Sequence, residues 1–153
     1  DAEVELLSLE GSRWVPYSEF HIGYKSTKAQ SNELLHSIRI PRKHVGWDAY
    51  YRKVGTRKAQ AIAKVCFAGN AKMAAGTIED IRIALGSVAP VPLRCQQTEA
   101  ALRGNSLDTK LINTAAAVLE SEITPIDDIR STAKYRVRVS VNLLRDMLGS
   151  LSS

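Results

Sequence analysis

Three histidines, two cysteines and the adjacent carboxylates Asp127-Asp128 are the residues whose types first invite chemistry in this chain. His21, His36 and His44 stand at spacings that make no metal-ligand set, so each reads as a strand or turn residue. Cys66 and Cys95 lie far apart and allow one disulfide at most. With no signal segment ahead of them they read as reduced thiols of a cytoplasmic protein. Cys66 falls in an apolar, strand-like run and is expected to be buried and inert. An iron–sulfur cluster takes four thiolates, so this chain supplies none alone. Asp127-Asp128 precede a candidate helix, where capping and the helix dipole explain them without catalysis. Neither Gly-rich phosphate-loop pattern occurs, and no nucleophile elbow frames a serine.

What remains is positive charge. Lys and Arg number 21 against 16 Asp and Glu, a net of +5. The densest groups are Arg39, Arg42, Lys43 and His44, then Arg52, Lys53, Arg57 and Lys58. Such groups suit an anionic partner, and equally serve as solvated strand edges and turns. Nucleic acid is disfavoured, because no aromatic residue is interleaved among the cations in a base-stacking pattern. No apolar run approaches the roughly 20 residues of a membrane span.

The elements that must position these residues change character along the chain. Glu3–Leu9, Arg13–Val15, Glu33–Ile40 and Trp47–Val54 read as strands, with turns at Gly11-Ser12 and Gly46. In Glu33–Ile40 the period of two puts Leu34, Ile38 and Ile40 on one face and Leu35, Ser37 and Arg39 on the other. Ala63–Ala68 and Ile78–Leu85 alternate in the same way across Ala74-Ala75-Gly76-Thr77, which predicts an antiparallel hairpin. The last third is helical. Leu93–Arg103 follows Pro92 and stops at Gly104, and Ser106 is the expected cap of the next helix. Leu107, Leu111, Ala115 and Leu119 form a stripe at spacing four, broken by Thr124-Pro125. Arg136–Val141 alternates like a strand, yet Ala133, Val137, Val141, Leu144 and Leu148 keep helical spacing over a length that favours helix. Strands followed by helices predict an α+β fold, an antiparallel sheet with three C-terminal helices. The start at Asp1, inside an apparent strand, reads as a cut within a longer protein.

Six ordered segments give the chain a resemblance. His21–Thr27 (HIGYKST) is similar to F-x-G-Y-[RK]-x-T, with His21 where an aromatic is usual. Glu33–Pro41 is similar to E-x-[IL]-x-x-I-x-[IL]-P, and Arg52–Val65 to K-x-x-x-R-x-x-x-D-I-A, with Ala61 in place of Asp. Ile81–Arg94 follows R-[IV]-x-[LI]-G-x-[VM]-[AG]-P-x-P-x-R, Glu99–Gly104 follows E-x-x-L-x-G, and Ile126–Arg136 follows D-x-R-x-[ST]-x-x-Y-R. Together they resemble the C-terminal part of the FAD-binding medium subunit of molybdenum hydroxylases, the xanthine dehydrogenase and carbon monoxide dehydrogenase flavoproteins.

The resemblance implies a layout. Residues 1–41 would be the trailing strands of the FAD-binding domain, and residues 42–153 the C-terminal domain with its three helices. It also implies that the final segment is helical. The parent would be a molybdenum-containing oxidoreductase that passes electrons from [2Fe–2S] clusters through FAD to NAD or another acceptor. The molybdenum cofactor and clusters would sit on other domains or subunits, and the fragment alone would be inactive. Two positions carry over as cofactor-binding. Leu35 would pack near the isoalloxazine, and Lys53 would meet the flavin's polar edge, where a cation favours the reduced ring. Their plain alternatives are a core leucine and a solvated strand lysine. If Leu34–Ile40 and Trp47–Val54 paired antiparallel about residue 44, positions 35 and 53 would face each other. Arg57, Arg94, Tyr135 and Arg136 match motif positions but are read as structural, the Tyr135-Arg136 pair and Arg94 tying helix to sheet. The rival reading is an assembly or docking domain with no flavin affinity of its own.

Overall fold

The computed structural model describes residues 1–57 and 60–151, so Lys58 of the second basic group lies outside the described residues. The chain divides into two compact units, Asp1–Val45 and Gly46–Ser153.

In the first unit, β1 (Glu3–Ser8) is the centre of a three-stranded antiparallel sheet, flanked by β2 (Gly11–Pro16) and β5 (Leu34–Arg39). The β1–β2 turn falls at Leu9-Glu10, two residues before the expected Gly11-Ser12. One helical turn, α1 (Tyr17–Phe20), and a small ribbon, β3 (His21–Gly23) and β4 (Ser26–Thr27), complete it. Its core is small: Val4, Leu6, Val15 and Phe20.

The period-of-two reading of β5 is corrected by a bulge. Leu35 pairs with Leu6 while Ser37 pairs with Glu5, leaving His36 as the extra residue. Leu35 and Ile38 therefore face the same side as Leu6 and Val4, and Leu34 turns to the other side. One inserted residue reverses the alternation.

The second unit holds a four-stranded antiparallel sheet in the order β6 (Asp48–Val54), β7 (Val65–Ala74), β8 (Thr77–Gly86), β9 (Leu93–Arg94). The expected hairpin is present, closed by Ala75-Gly76 with both residues at positive φ, 48° and 77°. Val65, Phe67, Ala71, Ile81, Ile83 and Leu85 face inward. The pairing proposed for Leu34–Ile40 with Trp47–Val54 does not occur. β5 pairs with β1 and β6 with β7, since each has a better register partner within its own unit. The stretch before the first long helix also differs. Leu93-Arg94 pair with β8 as a strand, so α2 begins only at Gln96 and runs to Leu102.

Glu122 caps α2 from another helix, accepting from the amides of Gln97 (2.9 Å) and Thr98 (3.0 Å) and from the Thr98 hydroxyl (2.7 Å). α3 (Thr109–Glu122) is capped by Asp108, whose carboxylate accepts from the Leu111 amide at 2.6 Å. Ser106 instead bridges to Thr77. α4 (Ala133–Leu151) is the predicted final helix. Its buried face is centred on Arg136, Ser140, Leu144, Met147 and Leu148 rather than on Ala133, Val137 and Val141. A buried arginine hides the stripe from an apolar count. The sheet packs so closely on α4 that a Cβ at Gly69 would collide with Met147 Sδ. The whole is α+β, antiparallel sheets with three main helices, as the sequence predicts.

Candidate functional site

Alternation along β6 decides which side chains reach solvent. Tyr50, Arg52 and Val54 take the helix side, opposite Gly69, Phe67 and Val65 of β7. Ala49, Tyr51 and Lys53 therefore take the outer side. Lys53 is exposed and lies opposite Cys66, which in turn lies opposite Gly86 of β8. The next row is Tyr51, Ala68 and Ala84, and the one after it Ala49, Asn70 and Arg82. Positions 49, 68, 84 and 86 carry only Ala or Gly, so this face is a platform of small side chains edged by Tyr51 and Lys53. At its far end two buried polar atoms, Asn70 Oδ1 and Arg82 Nε, have no hydrogen-bond partner among the described residues.

Cys66 corrects an expectation. It is half-buried on this outer face, and its thiol donates to Tyr51 Oη at 3.4 Å. That contact, and the sulfur's charge when ionised, hold the Tyr51 phenol above its ordinary value. The deeply buried cysteine is Cys95, at the start of α2, where burial, with Glu122 and Glu99 nearby, pushes the thiol up to about 12. Both cysteines are free.

Leu35 lies in the first unit. It is half exposed at the sheet edge, with exposed Leu34, Ile38 and Ile40 along the same segment. On the opposite side of that sheet, Glu5 accepts from Ser37 Oγ (2.5 Å) and contacts His36 Nδ1 (2.9 Å). The Ser37 bond, then the His36 and Ser12 contacts, hold Glu5 down at about 2.

Of the four motif residues read as structural, Arg136 and Arg94 join elements, Arg57 makes a local contact, and Tyr135 is half-exposed with the Lys64 ammonium over its ring. Arg136 is buried and donates to the carbonyls of Lys64 (2.8 Å) and Ser87 (2.9 Å) and to Asp128 Oδ1 (2.7 Å). Arg94 holds Glu99, whose buried carboxylate also accepts from the Ile83 amide at 2.7 Å. Arg57 closes its own loop on the Gln60 carbonyl at 2.6 Å. Asp127 accepts from the Ala133 amide and Asp128 from those of Arg130 and Ser131, the expected capping work. No group of three metal-ligating side chains occurs among the described residues.

Two features escaped the sequence reading. The platform is legible in hindsight as small residues at alternate positions of β6, β7 and β8. A cleft of about 830 Å³ between β6 and α4, lined by Tyr50, Arg52, Asn142, Arg145 and Asp146, had no local signal because its walls are about 90 residues apart.

The second unit is thus an antiparallel sheet with Lys53 exposed on its outer face and three helices, and the first is a separate unit of short strands. Residues 49–151 match the model of the CO dehydrogenase flavoprotein C-terminal domain, and residues 1–43 that of the FAD binding domain in molybdopterin dehydrogenase. The chain belongs to the CO dehydrogenase flavoprotein C-terminal domain family, and is the C-terminal part of an FAD-binding medium subunit of the molybdenum hydroxylases. It is 33% identical over 140 residues to the glyceraldehyde dehydrogenase medium chain of Sulfolobus acidocaldarius, covering 91% of this chain and 49% of that one. It is 25% identical over 151 residues to the xanthine dehydrogenase FAD-binding subunit of Escherichia coli O157:H7, covering 97% and 51%. The carbon monoxide dehydrogenase of Hydrogenophaga pseudoflava superimposes with a TM-score of 0.89 at 31% identity, over 97% of this chain and 52% of that chain. The chain thus spans about half the length of the curated relatives it matches. No helix among the described residues is long and apolar enough to cross a membrane.

Proposed function

We propose that the chain forms one wall of the flavin site of a xanthine dehydrogenase-like molybdenum oxidoreductase, in which electrons pass from [2Fe–2S] clusters through FAD to NAD or another acceptor. In this reading residues 1–41 are the tail of the FAD-binding domain and residues 42–153 the C-terminal domain. The molybdenum cofactor and the clusters sit on partner domains or subunits of a cytoplasmic hetero-oligomer, and the two unbridged thiols suit a reducing compartment.

The observation that carries this reading is the platform on the outer face of β6–β8. Its small residues leave room for a planar ring, Tyr51 offers an aromatic edge, and Lys53 holds a positive charge beside it. These residues fit an isoalloxazine. Bound FAD supplies the two-electron redox chemistry. Lys53 would contribute a fixed cation where negative charge develops, and Leu35, in the other unit, is assigned to the flavin only by the family resemblance.

The test is Lys53→Ala in the full-length flavin-loaded subunit. The expected result is weaker FAD retention or a lower flavin midpoint potential, with Lys53→Arg restoring most of it. Unchanged affinity and potential would remove Lys53 from the site and favour the docking-domain reading.

A further inference from the structure

β6 is the outermost strand of its sheet, and its whole length pairs in unbroken register with β7. Its other edge carries a row of amides and carbonyls with no strand beside them among the described residues. The far edge of the sheet is blunted, because β9 is only 2 residues long. β6 runs for 7 residues, and neither a proline nor a bulge interrupts it. Two of the usual guards against strand pairing are therefore missing.

The charges on this edge are arranged about its middle. By alternation Asp48, Tyr50 and Arg52 share the helix side of the strand. Asp48 and Arg52 are exposed, and neither pairs with an opposite charge among the described residues. Arg52 donates to the Tyr51 carbonyl at 3.1 Å and lies 5.0 Å from the Tyr50 ring centroid. The cleft between β6 and α4 also holds both signs, since its α4 wall bears Arg145 and Asp146. Arg145 donates to Asn113 Oδ1 at 2.9 Å, and Asp146 accepts from the Tyr50 hydroxyl at 3.0 Å. A surface of one sign calls for a partner of the other. An edge with opposite charges on either side of its midpoint is complementary to itself under a twofold axis.

We infer that β6 pairs antiparallel with β6 of a second copy of this chain, about a twofold axis at Tyr50, joining two four-stranded sheets into one. In that register Asp48 of each copy stands opposite Arg52 of the other, Ala49 stands opposite Tyr51, and the two Tyr50 meet at the axis. The contact then holds the same cross-strand ion pair twice and an aromatic pair between them. Moving the axis to Tyr51 sets Asp48 opposite Val54 and Arg52 opposite Tyr50, with no ion pair. The helices leave room for the pairing. α4 lies against β7, where Met147 covers Gly69, so the two α4 helices would stand three strand spacings apart, about 14 Å. Helices in contact need about 8–10 Å. The two clefts would merge into one groove, with Arg145 and Asp146 of each copy on facing walls. The inference is independent of the flavin assignment, which uses the outer side of these strands.

The test is sedimentation equilibrium of the full-length subunit, with substitutions at 48 and 52. The unmutated subunit is expected to dimerise as its concentration rises. Asp48→Arg and Arg52→Asp should each weaken dimerisation by about tenfold or more, and Asp48→Arg/Arg52→Asp together should restore it to within a few-fold. A cross-link gives a separate readout. Asp48→Cys/Arg52→Cys should oxidise to a covalent dimer, because facing Cα atoms lie within disulfide range. Each single cysteine variant should not, since like positions would lie about 14 Å apart. A subunit that stays monomeric at every concentration would overturn the inference. So would a dimer indifferent to the charge changes, or one that forms no cross-link in the double cysteine variant. An edge covered by another segment of the subunit would show as the monomer without the cross-link. Sedimentation of the unmutated protein decides the matter even if a variant misfolds.

Discussion

Single residues divide here into those that carry the architecture and those left free to touch something else. Arg136 is of the first kind. It replaces an apolar residue at the centre of a buried helix face, and its guanidinium satisfies two strand-end carbonyls and one carboxylate. Arg136→Met should cost about 2–4 kcal/mol, because the acceptors stay in place without a donor; urea unfolding of the variant measures it. The two cysteines divide in the same way. Cys95 is buried and its thiol is pushed up to about 12, while Cys66 is half-exposed. A disulfide reagent at pH 8 should modify one thiol in the native protein, mapped to Cys66, and two in denaturant. The sequence suggested an inert Cys66 because its run is apolar; alternation within the strand places it outside instead.

Elements were legible wherever the signal was local. The hairpin followed from alternating runs around Ala75-Gly76, and the last helix from length and spacing. What the sequence withheld was pairing between distant segments. The bulge at His36, the two-residue β9 and the separation of β5 from β6 all depend on which strands find each other, and no window of one strand contains that information. The same limit hid the site. Lys53 was visible as a motif position, but its platform needs the register of three strands. The close approach of α4 to β7 supplies a test of this packing. Gly69→Val would drive its side chain into Met147, and should destabilise the protein by roughly 1–3 kcal/mol through overpacking, read as a lower melting midpoint. Met147→Ala in the same chain should recover part of the loss.

At the scale of the whole molecule the two units differ in how they are held. The second has a continuous core from sheet and helices, whereas the first has a core of four buried side chains and carries several charge pairs on its surface. Two of its carboxylates, Glu5 and Glu33, are held at about 2 from an ordinary 4.5, Glu5 chiefly by Ser37 and His36 and Glu33 by Arg13 and the Gln30 amide. Their folded values are depressed, so what they contribute is present above pH 4.5 and is lost as pH falls towards 2. Amide exchange along β1, β2 and β5 should therefore accelerate across that window. The central claim is that the outer face of β6–β8 touches the flavin, and the flavin midpoint potential of the full-length subunit tests it most directly. Loss of the Lys53 cation should lower that potential, by roughly 30 mV for each ~1.4 kcal/mol withdrawn from the reduced state, with Lys53→Arg close to the unmutated protein. A potential and FAD content unchanged in Lys53→Ala would contradict it.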